Sequence, residues 1–368
     1  MVYRETGSSL SMALTVAAEA LSTLLLPLWG VWVDRVSPRA LMSGALLFQA
    51  GVSGLLPLGI TGHWITVGVL YGVSFLVGTG ANVLQTVQTR VIPLMFPDDR
   101  DAASVGLTTA YTVTTVVGPL LAGLALAHHG EVDLLWLNTA SFAAPILLMR
   151  WTRVPVESDA ETGRVPITRA LREGVAALIR APAVRPVLET FLALRLTDAL
   201  AATLAVYRLK HSFHASDAVA TLIFLAVGVG GVIGTRVPPR LRAKPRSVPL
   251  KLALTANLAG VLCLMAPWPS LVPWGLVLTG GAFLTAAVTR NLWLQAEIPV
   301  THLARANTTV RTLSGTVALI GTVAIGSVSS RLGVETALAM LLVASGLPAV
   351  RWLLPTRQAH RAGEPPAL

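Results

Sequence analysis

Residues 29–42 read WGVWVDRVSPRALM. An acid, Asp34, and two arginines, Arg35 and Arg39, stand between two apolar runs, one filling most of residues 8–33 and the next beginning at residue 40. In a soluble protein the same letters would make an ordinary solvated turn. Here each flanking run reaches the roughly 18–20 residues that a helix needs to cross a hydrocarbon layer of about 30 Å. The charged stretch therefore reads as a point where the chain leaves a bilayer and turns back into it.

Composition supports that reading along the whole chain. Of 368 residues, 54% are hydrophobic and only 12% charged, about half the charged share of an ordinary globular domain. Mean hydropathy is +0.68. Eleven apolar spans are expected, at 8–33, 40–60, 64–92, 104–128, 132–150, 186–208, 216–236, 248–267, 271–298, 307–328 and 334–354. They are read as helices, because backbone groups in lipid must be satisfied within their own segment and a barrel would show short alternating strands. The class is all-α, polytopic, with five spans before a polar stretch and six after it.

The net charge of +10 raises the question of a nucleic-acid partner, and its placement answers against one. When the joints between spans are assigned alternately to the two membrane faces, one face collects Arg35, Arg39, Arg100, the seven arginines from Arg150 to Arg185, the six basic residues from Arg236 to Lys251, Arg305, Arg351, Arg357 and Arg361. The other holds Arg4, Arg208, Lys210 and Arg331. By the positive-inside rule the first face is cytoplasmic, which puts the central loop and the C-terminus inside a cell membrane, with some attraction to anionic lipid. Cys263 is the single cysteine, so no intramolecular disulfide forms. His128 and His129 lie in a polar turn without the further ligands a metal site needs. No metal, cofactor or GxxxxGK[ST] nucleotide loop is expected, and no cluster of His, Cys or carboxylates has catalytic spacing, so the chain is not read as an enzyme.

The chain divides into 1–150, a polar linker at 151–185, 186–354 and a tail at 355–368. Within the linker, ITRALREGVAALIR (167–180) sets Ile167, Leu171, Val175, Leu178 and Ile179 on one helical face with arginines opposite. It is either an amphipathic helix on the membrane surface or a linker helix packed on the bundle. Two pairs of stretches suggest that the halves are repeats. PLWGVWVDRVSPR (27–39) is similar to GVGGVIGTRVPPRLRAKPR (228–246), and IPLMFPDDRDAAS (92–104) to EIPVTHLARANTT (297–309). The first of these ends the first span of its half and the second copy ends the second, so the first half is expected to lack an opening helix. The alternative is a natural eleven-helix chain with its N-terminus outside.

Gly30, Asp34, Arg35 and Arg39 in GVWVDRVSPR resemble the signature loop of the major facilitator superfamily, GxLADRxGRR. Trp32, Ser37 and Pro38 depart from the pattern, as does Thr235 where the second copy would carry its acid. The resemblance implies two pseudo-symmetric helical bundles and a secondary transporter that works by alternating access, acting as a monomer on a small-molecule substrate. Asp34 can accept hydrogen bonds from a helix N-terminus or pair with an arginine, closing the inner mouth; a tight turn with topology-setting arginines is the alternative, which leaves the acid without a purpose on a positive-inside loop. GPLLAG, with Gly118, Pro119 and Gly123, resembles a glycine–proline motif of exporters in that superfamily, although Thr114 stands where an upstream glycine is usual. These seven residues are the expected gating set.

Ionisable residues inside a span are costly and are functional candidates by default. Asn82, Gln85, Arg195, Asp198, Arg290 and Asn291 are expected to line the substrate path, which the resemblance places between helices four, seven and ten; buried ion pairs holding the halves together are the alternative. With no nucleotide motif, an ion gradient is the remaining energy source, and protons are the expected coupling ion. Glu19, Asp198 and Glu189 are the candidate proton carriers, with Glu19 favoured because Arg195 would hold Asp198 ionised. The expected activity is proton-coupled export of small amphipathic compounds; a nutrient uptake carrier, or a non-transporting receptor or scaffold, are the alternatives.

Overall fold

The computed structural model describes residues 2, 6–26, 29, 36–95, 110, 114, 117–118, 121–122, 128, 130–149, 151, 167–241, 244–245, 247–298 and 300–353. Among them every regular element is a helix. In chain order these are α1 (Ser9–Leu21, continued by a 3-10 turn at Ser22–Leu25), α2 (Pro38–Thr61), α3 (Val67–Met95), α4 (Glu131–Ser141), α5 (Ala143–Leu148), α6 (Ile167–Arg180), α7 (Val184–His211), α8 (Asp217–Arg240), α9 (Val248–Met265), α10 (Val272–Glu297), α11 (Val300–Leu332) and α12 (Val334–Leu353). Seven helices, α2, α3, α7, α9, α10, α11 and α12, are long and apolar enough to cross a membrane. The expected span 104–128 and the tail lie outside the described residues, apart from scattered positions in the former.

The observed ends follow the apolar runs closely, and the differences have local causes. The span expected at 132–150 is two helices that meet at Phe142. Helix α11 begins at Val300, seven residues before the expected span, because its first turns are polar but still helical. Helix α8 runs through Pro238 and Pro239 to Arg240. Proline at 238 removes the N–H that would bond the carbonyl of Gly234. The buried Thr285 hydroxyl of α10 donates to that carbonyl at 3.1 Å, shared with its own Gly281 carbonyl at 2.8 Å. A side chain from the neighbouring helix thus replaces the lost backbone donor, which lets the helix continue.

Helix α10 is the centre of the second bundle, packed along α7, α8 and α9, while α12 closes it against α7 and α9. The α8–α10 seam depends on small residues: the Gly281 carbonyl occupies the place a Cβ on Gly234 would take, so the two backbones touch directly. Leu200, Leu204, Val261, Leu264, Leu276, Leu338 and Leu341 fill the space between the helices. In the first half α1, α2 and α4 pack against α3 or α2, and α1 also runs along α11, which is the main described contact between the halves.

Large apolar side chains also face outward, among them Leu58, Leu137, Leu148, Ile320, Val343 and Leu347, with Trp151, Trp268 and Trp274 near helix ends. Such a surface suits lipid, with tryptophans at its two edges. Arg208, nearly buried at the end of α7, donates to the Leu264 carbonyl and, at 3.0 Å, to that of Met265, capping α9. It also pairs at 3.0 Å with Glu335 in the first turn of α12. A cation at a helix C-terminus and an acid at a helix N-terminus both sit favourably, and the pair ties three helix ends together.

Candidate functional site

The charges inside the spans converge where the two halves meet. On the first half, α1 supplies Glu19, whose side chain is exposed although it lies well inside the apolar run. The Ser22 hydroxyl donates to the Glu19 carbonyl at 2.6 Å and accepts from Nδ2 of Asn82 on α3 at 2.8 Å. Gly78, one turn before Asn82, makes this approach possible, since a Cβ there would sit 2.7 Å from Ser22 Oγ and 3.0 Å from Glu19 Cγ. Gln85 follows Gly78 and Asn82 on the same face by helical spacing and is exposed.

The second half supplies α7 and α10. Arg195 Nη1 donates to Asp198 Oδ2 at 2.6 Å, with side-chain exposures of 30% and 18%, and the guanidinium also acts electrostatically on Glu19. Three residues separate Arg195 from Asp198, so one helical face carries both. The Arg195 Cζ lies 5.5 Å from the centre of the Phe283 ring, that ring stacks on Phe191 at 5.6 Å, and Phe191 lies 4.3 Å from Arg290 Cζ. Two arginines and two rings form one stack between α7 and α10. Arg290 also donates to Asn291 Oδ1 through Nη2 at 2.5 Å and Nε at 3.2 Å.

Arg311 of α11 joins this group and was not among the sequence candidates. Its Nη2 donates to Gln85 Oε1 at 2.5 Å across the halves. It was legible in principle, as an ionisable residue inside the expected span 307–328 with Asn307 and Thr308 close on its face.

The other expected residues lie apart. Glu189 is held by Arg185 at 3.0 Å and Arg351 at 2.7 Å, half-exposed near the start of α7. Arg39 donates to the Met149 carbonyl at 3.2 Å, linking the start of α2 to the end of α5 within the first half. A Cβ on Gly118 would meet nothing within 4 Å. Gly30, Asp34, Arg35, Pro119 and Gly123 lie outside the described residues.

The linker helix α6 packs on α11 and on the start of α7, setting Ala177 and Leu178 against a cluster that includes Val184, Phe191 and Val310. Val175 and Ile179 stay exposed, with Arg172 and Arg180 beside them. The helix thus has one face on the bundle and an apolar edge outside it.

Comparison with known proteins gives the same architecture. A family model described as transmembrane secretion effector matches residues 2–364. The chain is 25% identical over 285 residues to an uncharacterized MFS-type transporter of Sinorhizobium fredii, covering 75% of this chain and 67% of the relative. It is 26% identical over 140 residues to the fosmidomycin resistance protein of Escherichia coli, covering 38% of this chain and 33% of the relative. Among solved structures, the nucleoside transporter NupG superimposes with a TM-score of 0.73 at 13% identity, covering 94% and 90% of the two chains. A bacterial homolog of the human lysosomal transporter Spinster, inward-facing and unoccupied, gives 0.62 at 14% identity, covering 98% and 97%. At such identities the structural likeness speaks to the fold alone.

Proposed function

The chain belongs to the transmembrane secretion effector family of the major facilitator superfamily, and from that premise we propose that it is a secondary transporter that exports small amphipathic compounds in exchange for protons. The observation that carries this reading is the contact of α1 with α7, which sets Glu19 of the first half within electrostatic reach of the Arg195–Asp198 pair of the second, inside apolar helices. Charges in that position are expensive unless they serve a path for polar matter. The substrate path runs between α1, α3, α7 and α10, past Asn82, Gln85, Arg195, Asp198, Arg290 and Asn291.

Glu19 is the proton carrier, since Asp198 keeps Arg195 at 2.6 Å and Glu189 is held by two arginines. Protonation of Glu19 weakens its attraction to Arg195 and loosens the contact between halves; deprotonation restores it. Residues 1–150 and 186–354 act as the two rocking bodies, with 151–185 and the C-terminus cytoplasmic in the cell membrane, and the Asp34 turn latches the inner mouth. The family description favours export over uptake, as does the name of the resistance protein matched over part of the chain.

Inside-out membrane vesicles carrying the protein test this directly. Energised vesicles should accumulate amphipathic dyes, and nigericin, which collapses the pH gradient, should abolish accumulation along with Glu19→Gln. Accumulation indifferent to nigericin removes proton coupling, and accumulation in right-side-out vesicles alone makes the protein an uptake carrier.

A further inference from the structure

A cavity of about 270 Å³ lies at one end of the second bundle, where α8 ends, α9 begins and α10 ends. Among the described residues α8 and α9 each pack along α10 and have no comparable contact with one another, so a groove runs between them with α10 as its floor. Thr289, Leu292, Trp293 and Ala296 line it and recur at the three- and four-residue spacing of one helical face. Arg290 and Asn291, assigned above to the substrate path, project from other faces of the same helix. The space is far larger than the roughly 10–15 Å³ that admits one water molecule, and closely packed helices leave few such voids.

The groove is charged at its mouth and apolar beyond it. Lys244, exposed in the turn between α8 and α9, stands at the mouth, with Pro238 and Pro249 as the facing walls. From there α9 and α10 lead into their apolar spans, where Leu292 and, one turn after Pro249, Leu252 are exposed. The Thr289 hydroxyl is already spent on the Thr285 carbonyl at 2.7 Å, and the half-buried Trp293 presents an amphipathic ring. The surrounding stretch 236–251 carries six basic residues and no acid. Elsewhere in this bundle Arg195, Arg208 and Arg351 are paired with acids, whereas among the described residues Arg236, Arg240, Lys244 and Lys251 have no acid as partner.

An occupant must therefore bring a negative group to the mouth and an apolar length to the groove. The tail at 355–368 carries Arg357, Arg361 and a single acid, Glu364, and has the wrong sign. A free phosphate lacks the apolar part. We propose that the groove binds an anionic phospholipid of the adjoining leaflet, with its phosphate on Lys244 and an acyl chain along Leu292, Trp293 and Leu252. Basic pockets between spanning helices hold such headgroups, and the positive-inside assignment puts this one in the cytoplasmic leaflet. The lipid fills the gap between α8 and α9 and joins their ends. The site is independent of the substrate path and of the direction of transport.

Binding is read on the full chain in neutral detergent at physiological salt, by unfolding followed with tryptophan fluorescence. Dioctanoyl phosphatidylglycerol at roughly ten times its Kd should raise the midpoint by about 2–3 °C. Dioctanoyl phosphatidylcholine, with the same chains and no net charge, should not, and neither should inorganic phosphate. Lys244→Gln should raise the lipid concentration needed for half of the shift about fivefold, the effect of one cation at a membrane surface. Ala296→Leu, which fills the groove and leaves every charge in place, should remove the shift. Both positions are exposed, so the unliganded midpoint stays that of the parent. Arg236→Gln and Lys251→Gln each remove a cation two residues from Pro238 or Pro249, on other faces of α8 and α9, and should leave the shift intact.

A shift of equal size from phosphatidylcholine would remove the selection for charge, and one from phosphate alone would make this an anion site that needs no lipid chain; either result overturns the assignment. So does a shift that survives Lys244→Gln or Ala296→Leu unchanged. Equal losses in Lys244→Gln, Arg236→Gln and Lys251→Gln would give the attraction to the basic surface as a whole and overturn a site at the groove. No shift from phosphatidylglycerol would overturn the lipid as its occupant.

Discussion

Arg311 and Gln85 lie on helices from opposite halves, and the 2.5 Å bond between Nη2 and Oε1 is a polar clasp across the interface. Because Gln85 is exposed, the bond contributes about 1 kcal/mol rather than the larger figure of a buried charged hydrogen bond. On the proposed rocking of the two halves, Gln85→Leu should therefore shift the balance between two conformations by about fivefold. Spin labels at residues 58 and 332, which are exposed at the ends of α2 and α11, with Cys263→Ser to leave no other thiol, report the change as a redistribution between two distances. Unchanged distance distributions would mean that the clasp does not bias the interface.

The Arg195–Asp198 pair, at 2.6 Å and partly buried, separates the path reading from the alternative of a structural ion pair. Removing either partner leaves a charge within an apolar helix, so Arg195→Gln and Asp198→Asn should each lower the midpoint of unfolding, while the double variant loses less than the sum. A coupling on the order of 1–2 kcal/mol is expected for a pair of this exposure. The exchanged pair, Arg195→Asp with Asp198→Arg, should recover most of that stability. If the residues line the path, vesicle accumulation should stay at least tenfold reduced in the exchanged variant, since Glu19 then faces an acid instead of a guanidinium. Recovery of transport along with stability would assign the pair a structural role only.

The contact between α1 and α11 is the seam along which the halves meet. Thr23 occupies the space that a Cβ on Gly315 would need, and Ala13 lies 2.5 Å from the corresponding point on Gly326. Gly315→Ala should push α1 away and cost about 1–3 kcal/mol, as overpacking does at a filled contact. Because the Thr23 hydroxyl is the nearest obstacle, Thr23→Ala, which removes it, should recover part of the loss in the same unfolding measurement, and Thr23→Ser, which keeps it, should recover less. A Gly315→Ala midpoint equal to the parent would show that the seam is looser than the geometry states.

The spans were legible because apolar length is a one-dimensional property: α2, α7, α9, α10 and α12 begin and end within three residues of the runs that define them. Asn82, Arg195, Asp198, Arg290 and Asn291 were singled out by the cost of polar groups in lipid; in the structure Asn82 bonds Ser22, three residues after Glu19, Arg195 pairs with Asp198, and Arg290 bonds Asn291. Arg311 was missed because it stands a turn inside a run whose first residues are polar, where an arginine resembles one more charge at the membrane edge. Its meaning comes from Gln85 and Arg290, which are distant in sequence. The stack of Arg195, Phe283, Phe191 and Arg290 was equally invisible, since no spacing rule relates α7 to α10 before their packing is known. Glu189 looked like a charge inside a span because α7 starts only a few residues before it; Arg351, which pairs with it at 2.7 Å, comes from the far end of the chain.

Thr285 offers the sharpest test of how the helices tolerate proline. Its hydroxyl donates at 3.1 Å to the Gly234 carbonyl, the one that Pro238 leaves without a backbone donor. Gly234, Pro238 and Thr285 are all buried, so no water stands ready to replace the bond. Thr285→Val keeps the shape of the side chain and removes the donor, and an orphaned buried carbonyl costs about 1–3 kcal/mol. Pro238→Ala restores an N–H at the correct place in the helix, so in that background the Gly234 carbonyl has its own partner and Thr285→Val should be nearly harmless. The measurable result is non-additivity: a clear fall in unfolding midpoint for Thr285→Val alone, and little further fall when it is added to Pro238→Ala. Equal penalties in the two backgrounds would mean that the hydroxyl serves only its own Gly281 carbonyl, and that α8 survives its prolines by packing alone.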